Sequence, residues 1–162
     1  MKRSDVNLFV CPRCGAPLCL LEAHGSNSAA GEIEEGRFAC EKCGVDYPID
    51  RFIPRFVPSD NDAASFGYQW NAFARVQTSA EQMPYNVERF FATTGWSRDL
   101  REQKVLEAGC GAGRFTGVAL DTGAEVYSFD LSNAVDACQG NVTSPEQRKR
   151  HHLFQASIYE IP

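Results

Sequence analysis

Two cysteine pairs carry the first recognisable chemistry of this chain. Cys11-x2-Cys14 and Cys40-x2-Cys43 stand 25 residues apart, and each pair is trailed by a glycine, Gly15 and Gly44. Two residues between cysteines let both sulfurs of a pair reach one ion from a tight turn, and the glycine lets the backbone come close. Two such turns supply four thiolates, the closed tetrahedral set of a structural zinc site. A redox Cys-x-x-Cys is single and opens a helix in a βαβ setting, and neither condition holds here. A disulfide pair is the other rival. A catalytic zinc would need an open coordination position, which the four-thiolate set does not offer. Of the remaining cysteines, Cys19 reads as a small apolar residue and Cys138 as part of a buried helix face.

The second constellation runs from Glu107 to Gly113 and reads E-x-G-x-G-x-G, with Gly109, Gly111 and Gly113 at alternate positions. Glycines so placed let the backbone turn sharply from strand to helix and lie against a ligand. A dinucleotide loop wants G-x-G-x-x-G. Here Arg114 stands where the last glycine would be, which counts against NAD and FAD. Asp130 ends the apolar run Val126–Phe129, seventeen residues after Gly113. A carboxylate at that strand end can accept both hydroxyls of a nucleoside ribose, and the spacing leaves room for one helix and a returning strand.

These residues need a frame, and composition divides the chain into three regions. Residues 1–57 hold the paired cysteines, with a soft insert from His24 to Gly31 that reads as a loop. Residues 58–103 read as helical. Pro58-Ser59-Asp60 can start a helix, and Ala64 to Gln77 spaces Phe66, Trp70, Phe73 and Ala74 at helical intervals. Pro84 can open a second helix, closed by Gly95. Residues 104–162 alternate: a strand over Lys104–Ala108, the glycine turn, a helix over Arg114–Asp121 stopped by Gly123, and a strand over Glu125–Asp130. A helix capped by Ser132 or Asn133 runs to about Gln139. A polar loop and a third strand from Leu153 follow. This order is the start of a doubly wound parallel sheet, so the fold class is α/β: a small β-rich ribbon, then three strands of an open sheet.

Charge and hydropathy narrow the function classes. The 162 residues carry a net charge of −5, so no global positive field recruits nucleic acid or an anionic membrane. The one basic run, Arg148 to His152, reads as a solvated loop. No apolar stretch approaches the ~20 residues of a membrane span, and Met1–Pro12 lacks the apolar region of a signal peptide. The expected location is the cytoplasm, where seven cysteines point to metal before disulfides.

Two families are resembled. Cys11-Pro12-x-Cys14-Gly15-x-Pro17-Leu18, Cys40-x-x-Cys43-Gly44-x-x-Tyr47-Pro48-Ile49 and Ile53–Pro58 resemble the Trm112-like zinc ribbons. Members of that family serve methyltransferases as interaction modules or are fused ahead of them. Val105–Phe115, Phe129-Asp130-Leu131-Ser132 and Phe154–Pro162 resemble the first three motifs of class I S-adenosylmethionine (SAM)-dependent methyltransferases. The resemblance implies a Rossmann-like sheet and SAM as cofactor, contacted by Glu107, Gly109, Gly111, Gly113, Asp130, Leu131, Ser157 and Ile158. Ser157 stands where many members carry an acid that meets the adenine amino group. Phe66-Gly67-Tyr68-Gln69-Trp70-x-x-Phe73 is similar to a helical cover near the cofactor, and an aromatic face packed as core is the other reading. The resemblance further implies strands beyond the third, with the acceptor site and any general base among them. The expectation is therefore an amino-terminal methyltransferase piece, silent alone, with no catalytic residue or methyl acceptor assigned. Its Val105-Leu106 strand would be an open edge prone to self-association. The alternative is a non-catalytic zinc-ribbon interaction module with a degenerate SAM-binding half-domain.

Overall fold

A computed structural model describes residues 1–25, 31–58 and 60–162. Part of the expected insert loop (26–30), and Ser59 of the expected helix start, lie outside the described residues. The chain packs as two compact units, Met1–Pro58 with Leu153–Pro162, and Ser59–His152. Packing thus groups the helical segment with the glycine-loop sheet and the last ten residues with the ribbon, where composition drew boundaries at 57 and 103.

In the first unit a 3₁₀ helix, Arg3–Leu8, precedes strands β1 (Cys19–His24), β2 (Glu35–Ala39), β3 (Asp46–Asp50) and β4 (Ile53–Pro54). They form one antiparallel sheet in the order β1-β2-β3-β4. Alternation shows best in β3, whose Tyr47 and Ile49 turn inward while Asp46, Pro48 and Asp50 face out. The core is aromatic. Phe9 lies 5.8 Å from Phe38, 5.1 Å from Phe56 and 5.3 Å from Phe154, in tilted or edge-on geometries. Ile33 and Ile53 are fully buried. Phe154 belongs here because Gln155 bridges Arg55 in parallel, with Phe56 N–H donating to the Gln155 carbonyl at 2.8 Å.

The second unit begins with α1 (Ala64–Ala72) and α2 (Met83–Thr94). Helix α1 is shorter than its expected run to Gln77: it ends at Phe73, and turns carry the chain to α2. Helix α2 has Pro84 in its first turn and closes on Gly95 at φ +65°, as its sequence signals foretell. Strand β5 (Lys104–Ala108) then pairs in parallel with β6 (Glu125–Asp130), Val105 opposite Val126 and Ala108 opposite Phe129. Between them lies α3 (Thr116–Asp121), two residues shorter than expected because the glycine turn runs on through Phe115. After β6 come α4 (Ala134–Asn141), α5 (Pro145–Arg150) and β7 (His151–Gln155). The sheet order is β5-β6-β7, that of one half of a doubly wound sheet. Phe90, Val105, Val118, Leu120 and Val126 form the core beneath it.

The expected polar loop after α4 is instead helical. Ser144 caps α5 by accepting from Gln147 N–H, Pro145 opens it, and Arg148, Lys149 and Arg150 fill its last turn. There the basic residues face the carbonyl end of the helix, where positive charge is favoured. Arg148 donates to the Val142 carbonyl and Arg150 to the Leu120 carbonyl, while Lys149 pairs with Glu146. The basic run is thus the end of α5 and the start of β7 rather than the expected solvated loop.

Candidate functional site

The ribbon builds a metal centre from twin turns. Cys11 N–H donates to Ala16 O at 2.8 Å and Gly15 N–H to Cys11 O at 2.7 Å; Cys40 N–H donates to Val45 O at 2.9 Å and Gly44 N–H to Cys40 O at 2.8 Å. Gly15 and Gly44 sit at φ +68° and +70°, a left-handed backbone that favours glycine. The turns bring the four Sγ atoms within 4.8 Å of one another. Cys11 Sγ lies 3.6 Å from Cys43 Sγ, and Cys14 Sγ 3.5 Å from Cys40 Sγ. Four thiolates ~2.3 Å from a tetrahedral zinc stand roughly 3.8 Å apart, so the donor set fits that ion.

Sequence reasoning missed Tyr47 as a site residue. Its hydroxyl lies 3.3 Å from Cys11 Sγ, and both are buried. Burial works against the Cys11 thiolate, but Tyr47 and the Cys14 N–H outweigh it and bring Cys11 down to about 6. The signal was its placement: Tyr47 is an inward position of β3, three residues past Gly44.

In the second unit the C-terminal ends of two neighbouring parallel strands bring together the glycine loop and the acid. Gly109, Gly111 and Gly113 all have positive φ, +76°, +53° and +85°. Gly109 and Cys110 donate their N–H groups to Phe129 O at 2.8 and 3.0 Å, which ties the loop to the end of β6. Asp130 Oδ2 accepts from Gly111 N–H at 2.9 Å, and Oδ1 from Ser132 N–H and Oγ at 2.8 and 2.7 Å. These bonds hold the carboxylate beside the loop.

The glycines differ in purpose. A Cβ on Gly109 would meet nothing within 4 Å, so that side of the loop is open to a ligand. A Cβ on Gly113 would lie 3.0 Å from Cys138 Sγ, so Gly113 serves close packing against α4. Cys138 is fully buried on α4, as its helical spacing implied. Glu107 faces inward too: its Oε2 accepts from Thr116 Oγ1 at 2.6 Å and Ser128 Oγ at 2.8 Å. Although part of the residue reaches solvent, loss of water around the carboxyl pushes it up to about 7. Glu107 thereby ties β5, β6 and α3 under the loop.

Helix α1 and the turns after it lie along this loop. Gly67 presses onto α4, where a Cβ would be 2.8 Å from Asn133 N. Asn71 donates to Gly67 O and Asn133 O, both at 2.8 Å, and Asn61 donates to Leu131 O at 2.8 Å. Asn141 of α4 donates to Ala74 O at 2.7 Å and Ala112 O at 2.8 Å. The Trp70 indole is the nearest group to a Cβ built on Gly111, at 3.9 Å. Phe66 and Phe73 are 61% and 60% exposed, which removes the reading of α1 as an aromatic core face. Trp70 on the same helix is half-buried.

Of the sequence-derived contact residues, the second unit holds Glu107, Gly109, Gly111, Gly113, Asp130 and Leu131. Ser157 and Ile158 are in the first unit. There Ser157 bridges Glu160 and its Oγ accepts from Tyr159 N–H at 3.2 Å, while Ile158 is exposed.

Comparison with known proteins gives three findings. Residues 6–51 match the family described as Trm112p-like protein. No curated protein matches. Among solved structures, the glycopeptide N-methyltransferase MtfA complexed with sinefungin is similar at 31% identity. That likeness covers 44% of this chain and 28% of MtfA, with a TM-score of 0.36. The SAM complex of MtfA gives 32% identity over 43% and 28%, with a TM-score of 0.35. A further MtfA structure gives 31% over 44% and 32%, with a TM-score of 0.36. The chain spans less than a third of the length of these structures.

Proposed function

We propose that this chain pairs a zinc-dependent Trm112-like ribbon with the cofactor-binding portion of a SAM-dependent methyltransferase. One observation carries the reading: three positive-φ glycines and a strand-end carboxylate are joined through the Gly111–Asp130 hydrogen bond. The open side of Gly109 gives a ligand backbone-close access. On this reading Asp130 receives the ribose hydroxyls, the loop takes the methionine portion, and Trp70 covers it. Glu107 positions the loop from below. When bound, SAM supplies a methyl group already activated on sulfonium; the protein's task is to align an acceptor and exclude water.

The proposal includes that these 162 residues bind SAM weakly and do not transfer its methyl group. Support comes from β5, which stands at the edge of the sheet with Leu106 56% exposed; water reaches the sheet on that side. Calorimetry with SAM tests the reading. Binding should be measurable for the native chain and weakened in Asp130→Ala by about 1.5–3 kcal/mol, the worth of a charge-assisted bond. Unchanged affinity in the variant would move the nucleoside elsewhere, and robust methyl transfer in a labelled-SAM acceptor screen would overturn the silence of the chain.

A further inference from the structure

Arg114 immediately follows the glycine loop and is the only basic residue between Lys104 and Arg148. Its surroundings are built. Arg114 Nε donates to Asn86 Oδ1 at 2.8 Å, and Asn86, itself wholly buried, donates through Nδ2 to the Gln77 carbonyl at 2.7 Å. The guanidinium lies 4.9 Å from the Phe115 ring centre and 5.6 Å from that of Tyr85. A buried amide needs its hydrogen bonds met, and Arg114 and the Gln77 carbonyl meet those of Asn86.

The charge, however, is unanswered. Among the described residues Arg114 makes no ion pair, and its two Nη groups have no hydrogen-bond acceptor. A half-buried guanidinium fixed through Nε and flanked by rings presents its Nη edge as a fork, which suits a carboxylate. Asp130, held beside the loop at the end of β6, repels an anion. An amino-acid ligand lying along the loop with its ribose at Asp130 is therefore expected to send its carboxylate away from that acid, toward Arg114, the basic residue that follows the loop.

We infer that Arg114 binds the carboxylate of the cofactor's amino-acid end, held in position by Asn86. This inference rests on the proposed SAM reading and adds a contact that neither glycine loop nor acid provides. The step is recognition only: two N–H groups donate to one carboxylate, and no bond is made or broken.

The test compares S-adenosylhomocysteine with its decarboxylated analogue, using ligand-observed NMR titration so that weak binding is read. The native chain should prefer the carboxylate-bearing ligand by about tenfold, as a charge-assisted pair open partly to water would give. Arg114→Gln should abolish that preference while binding the decarboxylated ligand as before. Arg114→Lys, which keeps the charge but not the fork, should fall between. Far-UV circular dichroism and the thermal midpoint report whether the variants are folded. A preference that survives Arg114→Gln, or an equal loss for both ligands, overturns the inference and leaves the SAM reading standing. No binding of either ligand to the native chain overturns both.

Discussion

At the scale of single residues, the two acids next to the glycine loop illustrate how one side-chain type takes two roles. Asp130 accepts from backbone and hydroxyl donors at a strand end, whereas Glu107 is drawn beneath the loop, and its carboxyl is pushed up to about 7 by desolvation. An acid whose folded pKa exceeds its unfolded value holds more protons when folded. Its contribution is therefore fully present below about pH 4.5 and is lost as pH rises through about 7. Glu107→Gln removes that dependence. Thermal midpoints should consequently fall for the native chain between pH 5 and 8, and stay flatter in the variant, with a gap of up to roughly 3 kcal/mol at the alkaline end. Parallel curves would show that the carboxyl is better solvated than its contacts imply. Tyr47 makes a second residue-scale case. Removing its hydroxyl with Tyr47→Phe takes away a bond to a ligand sulfur without touching the four thiolates. Zinc affinity, measured by chelator competition, should drop about 10-fold or more, with the stoichiometry unchanged.

At the scale of elements, what was legible followed from strong local signals. The zinc turns, β5, β6 and the Gly95 stop of α2 each rest on a pattern with a steric or metal-binding cause, and each stands where it was expected. Helix α5 was missed although Ser144 and Pro145 announced it. None of its residues is buried, so it has no apolar periodicity to read. Helix α1 was drawn too long for the opposite reason. Phe73 continues the helical spacing but is exposed, and the chain turns so that Ala74 O and Gln77 O can be met by Asn141 and Asn86. Those asparagines lie 67 and 9 residues away in sequence, beyond any local pattern. The ribbon, whose small core is a phenylalanine cluster with Ile33, Ile49 and Ile53, should depend on its metal: about one zinc equivalent is expected in protein purified without added zinc, and Cys40→Ser should lose it together with the β-sheet signal. A metal-free ribbon that keeps its fold would sink that reading.

At the scale of the whole molecule, the sheet edge is where copies of the chain are expected to meet. Strand β5 pairs only with β6 in the described sheet order, so its other flank presents backbone N–H and C=O groups without a strand partner. Leu106 adds 56% of its surface to the solvent on that strand. Edge strands in stable monomers are blunted by charge, proline or a covering element. Here Lys104 at the start of β5 is the only basic residue on the strand, and it already lies 3.9 Å from Glu125. Apolar surface and unpaired backbone on one strand favour pairing with a second copy, since each added strand satisfies both at once. The net charge of −5 opposes association at long range but is screened within about 8 Å at physiological salt. The expected outcome is dimers or larger species by light scattering, increasing with protein and salt concentration. Leu106→Lys should shift the distribution toward monomer, because it places a charge where the copies would meet and removes the apolar contact. The substitution should leave the zinc content unchanged, since the metal is held by Cys11, Cys14, Cys40 and Cys43. A native chain that stays monomeric at high salt, or a Leu106→Lys variant that associates as strongly, would show that β5 is not the surface through which copies pair.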